Sequence, residues 1–107
     1  MNKYYCWEIE NGDVYSIPLR LIALSYADYY FERDVPLSMQ TADKYQEYVE
    51  STLQNMFVNH EMAEDWARNN MNFNEVEDEA KLIKKGEFHV NMQDNWVTPI
   101  RNFIKEM

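Results

Sequence analysis

Apolar and polar residues alternate near the start of the chain as expected for a β-hairpin. Tyr5, Trp7 and Ile9 share one side of a predicted strand over residues 4–10, and a second strand is predicted over residues 14–17. The connection is Asn11-Gly12-Asp13, and Asn-Gly readily adopts the positive φ angles of a tight turn. The pattern therefore predicts an N-terminal antiparallel hairpin.

The spacing of apolar residues then becomes helical. It predicts a helix over residues 18–33 that begins at Pro18, because a proline in the first turn has no intrahelical N–H bond to lose. Only Ser25, Asp28 and Glu32 form a polar strip on this helix. Such an apolar helix is expected to pack on more than one side, so we predict that it is the central helix.

Two further helices are predicted in the middle of the chain. An amphipathic pattern covers residues 41–58, where Ser38 or Thr41 can cap the helix by accepting an N–H bond. A shorter pattern covers residues 61–70. Residues 69–74 are rich in asparagine, which is typical of a loop.

The last third is predicted to contain two short strands and a final helix. Residues 81–83 and 87–90 are predicted as two short strands that join the hairpin in an antiparallel sheet. Thr98-Pro99 resembles a capped helix start, and it predicts a final helix with Trp96 and Val97 packed beneath it. The inner face of that helix consists of Ile100, Phe103, Ile104 and Met107.

These elements predict a single α+β domain over residues 1–107. Its antiparallel hairpin, alone or extended to a three- or four-stranded sheet, packs against three to four helices. The length of 107 residues and the apolar content of 46% suffice for one core.

The composition also favours an intracellular, cytoplasmic protein. The longest apolar stretch, residues 14–27, contains Arg20 and is shorter than the roughly 20 residues of a membrane span. An acid at Glu8 interrupts any signal-peptide core. The single cysteine, Cys6, is predicted to be a small buried residue, which agrees with a reducing compartment.

Negative charge is concentrated in one region. Residues 47–79 have a net charge of −8, whereas residues 81–107 have a net charge of +2 and the whole chain has −9. Arg68 is the one base in the acidic stretch, and its spacing predicts a pair with Glu64. Glu47, Glu50, Glu61 and Asp65 have no obvious local cation.

Metal and cofactor sites find little support. His60 and Glu64 share a helix face that His89 could join, but the chain has none of the established metal-binding spacings. The acidic run of residues 75–79 lacks the turn glycine of a calcium-binding loop, so a solvated run is the preferred interpretation. We predict no metal and no cofactor.

Catalytic motifs are missing as well. The chain has no Gly-x-Ser-x-Gly elbow, and its two glycines cannot build a phosphate-binding loop. We therefore predict no enzymatic activity and assign no catalytic residues. A pair of carboxylates that meet across a cleft stays open as an alternative.

The acids have two interpretations. They can form an ordinary solubilising surface, or they can imitate the charge of a nucleic-acid backbone and bind the basic groove of another protein. Direct nucleic-acid binding is disfavoured by the net charge, and Lys81, Lys84 and Lys85 are interpreted as edge charges. The candidate partner-binding residues are Glu47, Glu50, Glu61, Glu64, Asp65, Glu75, Glu77, Asp78 and Glu79.

Four segments of the chain resemble a group of phage proteins. The segments are Tyr4 to Pro18, Ile22-Ala23, Tyr26 to Tyr30 and Asp65 to Asn72. Together they resemble small uncharacterised accessory proteins encoded by tailed bacteriophages. The resemblance implies a phage protein made inside a bacterial cell, and it implies no activity or site.

The preferred hypothesis is a non-enzymatic acidic protein that binds a basic host protein, such as a nucleic-acid-binding enzyme or defence complex, and inhibits or modulates it. One alternative is a small structural or assembly protein that self-associates through aromatic helix faces. A second alternative is a small enzyme that uses carboxylates. No membrane partner is expected, because an anionic surface is repelled by anionic membranes.

Overall fold

The predicted α+β class is confirmed by the structure, a computed structural model that describes residues 2–86 and 92–106. Within these residues, four strands form one antiparallel sheet in the order β3-β2-β1-β4. The strands are β1 (Lys3–Glu8), β2 (Val14–Pro18), β3 (Lys81–Lys84) and β4 (Arg101–Glu106). The helices are α1 (Leu19–Asp34), α2 (Ala42–Val58), α3 (His60–Asn70) and α4 (Met92–Val97).

The N-terminal hairpin forms as predicted. Gly12 has a φ of +91°, a conformation that an L side chain rarely adopts, and this glycine closes the turn between β1 and β2. The Asn11 side chain accepts a hydrogen bond from the Asp13 N–H at 2.8 Å. The Ile9 N–H donates to the Asp13 carbonyl at 2.9 Å, so the turn is held by both backbone and side chain.

Helices α1 and α2 form an antiparallel pair that extends from the sheet. Pro18 ends β2 and occupies the N-cap position of α1 without a side-chain cap, and α1 ends before Val35 because a residue that precedes a proline disfavours helical geometry. Of the two predicted caps, Ser38 and Thr41, it is Thr41 that caps α2, since its hydroxyl accepts the Lys44 N–H at 3.2 Å. Phe57, near the C-terminal end of α2, lies beside β1, and the Lys3 ammonium is 4.6 Å from the Phe57 ring centroid.

The segment after α3 is more ordered than the predicted loop. Helix α3 continues to Asn70, and two 3-10 helices follow at Phe73–Glu75 and Glu77–Glu79. The predicted strand over residues 81–83 is confirmed as β3. The predicted strand over residues 87–90 lies outside the described residues.

The predicted C-terminal helix is wrong, because residues 101–106 form strand β4. This strand pairs with the free edge of β1, and the Ile100 N–H donates to the Glu8 carbonyl at 2.8 Å. The pairing supplies hydrogen-bond partners that the β1 edge needs, whereas an isolated helix of this length is marginal in water. Ile104 packs against the core opposite Tyr5, while Phe103 lies on the other face of the sheet.

Trp96 belongs to helix α4 and does not pack beneath a final helix. Its side chain is 1% exposed, and its indole N–H lies 3.1 Å from both the Ala67 and the Met71 carbonyl oxygens. The neighbouring Val97 is exposed. Trp96 therefore ties α4 to the C-terminal end of α3.

The core lies between the helices and one face of the sheet. Tyr5, Trp7 and Ile9 are fully buried there, and the Trp7 and Trp96 rings meet edge to face at a centroid distance of 4.9 Å. Ile17 of β2 belongs to the same cluster. Within the described residues, no helix has the length and apolar character needed to cross a membrane.

Candidate acidic interaction surface

The two predicted site residues on α2 already have cationic partners. Glu50 forms an ion pair with Arg20 of α1 at 2.5 Å, and Glu47 pairs with Lys44 at 3.3 Å. The expectation that these two acids lack a local cation is therefore wrong. The Arg20 pair joins residues 30 positions apart, which helical spacing within one element cannot predict.

Helix α3 brings three of the predicted acids together. Glu61 and Asp65 are exposed, and Glu64 lies between them in a half-buried position. Burial raises the pKa of the Glu64 carboxyl, His60 opposes this shift, and the nearby Glu61 and Asp65 carboxylates raise it further. This turn of α3 is therefore a site where negative charge accumulates.

Arg68 does not form the predicted pair with Glu64. The described residues contain no ion pair between these two side chains, although Arg68 opposes the rise in the Glu64 pKa. The Arg68 Nε donates to the Val97 carbonyl at 3.1 Å instead. Arg68 therefore connects α3 with the end of α4.

The acidic run of residues 75–79 divides into a structural and an exposed part. Glu75 accepts the Asn72 N–H and completes a capping box at the start of the first 3-10 helix, so its carboxylate supports the local backbone. Glu77, Asp78 and Glu79 are exposed. No ion pair or hydrogen bond of these three side chains is seen among the described residues.

Five predicted site residues thus remain exposed and without a described cationic partner. We call these five residues the acidic surface. It has one group on α3 and one on the 3-10 helix that precedes β3. Its members are Glu61, Asp65, Glu77, Asp78 and Glu79.

Two acids that were not assigned to the site join α1 to α2. Asp28 accepts a hydrogen bond from the Tyr45 hydroxyl at 2.5 Å, and Asp34 accepts one from Tyr48 at 2.7 Å. The bond to Asp28, together with burial, raises the Tyr45 pKa to about 12. Burial, followed by the bond to Asp34, raises the Tyr48 pKa. These carboxylates are acceptors within the fold.

The alternative of a small carboxylate enzyme requires two acids that meet in a cavity, and two acids do line one shallow cavity of about 350 Å³. Asp28 and Glu75 both line it, together with Ser25 and the apolar side chains of α1 and of residues 71 and 76. Each polar group already has a structural partner, since Ser25 accepts the Trp66 indole N–H at 3.0 Å. The two acids are therefore accounted for by hydrogen bonds within the fold, and the cavity assigns no reaction.

Four of the basic residues lie on a different side of the molecule from the acids of α3. Strand register places Lys81 and Lys84 of β3, and Arg101 and Lys105 of β4, on the sheet face opposite the helices. The sequence pattern missed this arrangement because residues 101–106 were predicted as a helix. The alternation of Arg101, Phe103 and Lys105 would have indicated it once that segment was recognised as a strand.

The described residues contain no cluster of three metal-binding side chains. His60 and Glu64 lie on one turn of α3, and His89 lies outside the described residues. No family of proteins matches this chain, and no curated protein and no solved structure matches it either.

Proposed function

We propose that this chain is a non-enzymatic acidic protein that binds a basic protein surface through the acidic surface. The observation that carries the proposal is the set of five exposed carboxylates without a described cationic partner. Their charge is available to an approaching protein, whereas the charge of Glu47 and Glu50 is partly used by cations within the chain.

The partner class follows from the charge. Five exposed carboxylates favour a binding partner that has a basic groove. Nucleic-acid-binding proteins have such grooves, because their function requires them. The resemblance to phage accessory proteins supports a host protein as partner and inhibition or modulation as the result. Occupation of the groove would exclude nucleic acid from it.

The self-association alternative has less support from the geometry. The aromatic side chains proposed for it pack within the chain, where Tyr26, Tyr30 and Trp66 form one cluster with ring centroids 4.6 to 5.6 Å apart. Tyr29 is 46% exposed, but the Arg33 guanidinium lies 3.9 Å from its ring centroid. These rings therefore contact mainly other side chains of the same chain.

The proposal is tested by affinity capture from a bacterial lysate. The wild-type chain is compared with Glu61→Lys/Asp65→Lys and with the matched control Glu10→Lys/Glu32→Lys, which makes the same change in net charge at exposed acids outside the acidic surface. Capture is measured at about 50 and about 200 mM salt, because screening between charges increases over this range.

We expect a basic protein that is captured at low salt, released at high salt and displaced by duplex DNA. The α3 variant should lose this protein while the control variant retains it. Capture that does not depend on salt, or equal loss with both variants, would contradict the proposal.

A further inference from the structure

We propose that the open face of the sheet binds single-stranded nucleic acid. The open face is the face opposite the helices, and it is defined by the residues that share it through direct strand pairing. These residues are Tyr4, Cys6, Glu8, Val14, Ser16, Pro18, Lys81, Lys84, Arg101, Phe103 and Lys105.

The basic side chains form two rows at the two edges of this face. Lys81 and Lys84 lie on β3, where a register shift opposite Val14 and Tyr15 brings Lys84 to the same face as Lys81, and Arg101 and Lys105 lie on β4. Strands β3 and β4 are the outer strands of the described sheet. Strands β2 and β1 separate the rows, and three strand spacings of about 4.8 Å place them about 14 Å apart. All four side chains are exposed.

The strip between the rows contains aromatic rings and small residues. Tyr4 and Phe103 are partly exposed, whereas Cys6, Ser16 and Val14 are 0%, 2% and 3% exposed, so only the two rings are accessible for stacking. The Arg101 guanidinium lies 4.9 Å from the Phe103 ring centroid. Aromatic rings bordered by cations form a surface on which unpaired bases can stack while phosphates meet the charges.

The charge of this face is largely unused by the protein. Glu8 pairs with Arg101 at 2.6 Å, but Lys81, Lys84 and Lys105 form no ion pair with a described acid. The face thus has a local net charge of +3 in a chain of −9. At about 0.1 M salt the Debye length is about 10 Å, so the acids on α3 across the core weaken this local field less than the net charge indicates. Glu77, Asp78 and Glu79 come two to four residues before Lys81 and oppose the charge of the β3 row, so the field is least weakened at the β4 row.

The geometry favours a single strand over a duplex. The described residues of this face form strands with rings on them and include no helix or ribbon that could enter a groove, and an aromatic ring can stack only on a base that is unpaired. The prediction against direct nucleic-acid binding rested on net charge, whereas the strand register places these four bases on the sheet face opposite the α3 acids.

The test is fluorescence anisotropy of a labelled oligo(dT) of about 20 nucleotides. With four phosphate contacts, log K should fall against log salt with a slope of about −2.8, which is about a 50-fold loss between about 50 and 200 mM salt. Duplex DNA of equal length should bind more than about tenfold more weakly, because its bases are not available for stacking.

Variants locate the contact on the open face. Lys81→Gln/Lys105→Gln should reduce the salt dependence to a slope of about −1.4, or about sevenfold over the same range. The matched pair Arg33→Gln/Lys44→Gln makes the same change in net charge on α1 and α2 and should leave the slope unchanged. Tyr4→Leu, which preserves apolar bulk, should weaken binding about fivefold or more through lost stacking.

Several results would overturn the inference. One is the absence of oligo(dT) binding at low salt by a folded wild-type chain. Others are equal loss with both lysine and control pairs, or equal affinity for duplex and single strand. Self-association in sedimentation that disappears in Lys81→Gln/Lys105→Gln would assign the face to a second copy of the chain. The variant Glu61→Lys/Asp65→Lys should still bind oligo(dT), so this inference and the proposed function can fail separately.

Discussion

Residues 47–79 contain nine acids, whereas the open face of the sheet collects only four bases, and yet the four bases share one face. Helix positions and 3-10 turns distribute the acids over several directions, and ion pairs or hydrogen bonds occupy Glu47, Glu50 and Glu75. Strand pairing fixes the bases in two rows. The number of charges in a sequence segment is therefore a poor guide to the charge that a partner meets, because secondary structure decides which side chains align.

The largest expected effect tests whether the acidic surface and the open face depend on one core. Trp96→Ala removes a buried ring that contacts Tyr5 and Trp7 and donates to the α3 carbonyls. We expect the free energy of unfolding to fall by about 3 to 5 kcal/mol. Denaturant unfolding followed by fluorescence and by circular dichroism should give coincident transitions.

The control for this prediction is Leu37→Ala. Leu37 is 84% exposed between α1 and α2, so its truncation should change stability by less than about 0.5 kcal/mol. A small loss for Trp96→Ala, or transitions that separate, would indicate that the helices and the sheet are independent units.

A medium effect tests whether acids of α1 serve the fold. Tyr45→Phe removes the donor to Asp28, which should cost about 1 kcal/mol near neutral pH. Because the folded-state pKa of Tyr45 is about 12 against 10.0 in the unfolded chain, the neutral phenol stabilises the fold below pH 10, and this contribution is lost as pH rises to about 12.

Urea unfolding of the wild type and Tyr45→Phe at several alkaline pH values measures this difference. The two proteins should converge in stability as the phenol ionises. A constant difference across the alkaline range would contradict the assignment of Asp28 as a structural acceptor.

A smaller effect tests charge accumulation on α3. The pKa of Glu64 is raised by burial and by its acidic neighbours, so its ionised form destabilises the fold at neutral pH. Glu64→Gln should therefore increase the free energy of unfolding at pH 7, and the gain should disappear below pH 4.5, where Glu64 is protonated in both states. Glu10→Gln is the exposed control, and thermal unfolding across pH compares the two variants.

The smallest effect concerns the ion pair between α1 and α2. Arg20→Gln leaves Glu50 without its described partner, and both side chains are about half exposed, so stability should fall by less than about 1 kcal/mol. A double-mutant cycle with Glu50→Gln measures the coupling. A coupling energy well above this range would show that the pair contributes more to the fold than its exposure indicates.

Local patterns predicted the parts of the fold that local physics determines. Asn-Gly indicated the turn at Gly12, and helical spacing indicated α1, α2 and α3 to within a few residues. Strand β4 was missed because Ile100, Phe103 and Ile104 also fit helical spacing, and the free edge of β1 that recruits this segment lies more than 90 residues away. A strand that forms only by pairing with a distant segment cannot be predicted from its neighbouring residues alone.

The same limit applies to the candidate site. The acid positions were evident from the sequence, but the partners of Glu50 and Asp28 come from other helices. The basic face was missed entirely, because it depends on a strand that was predicted as a helix. The charged residues could therefore be identified from the sequence, whereas the tertiary structure determines which of their side chains stay exposed and unpaired for a partner.

The pairing of β1 with β4 also determines when the fold can be completed. During synthesis the N-terminal hairpin and the α1–α2 pair can form from neighbouring residues, but the outer edge of β1 has no partner until residues 101–106 have left the ribosome. Until then the strand that carries Tyr5 and Trp7 presents unpaired backbone groups, which other chains can bind. A chain that terminates before Arg101 should consequently aggregate, even though it contains all four α-helices.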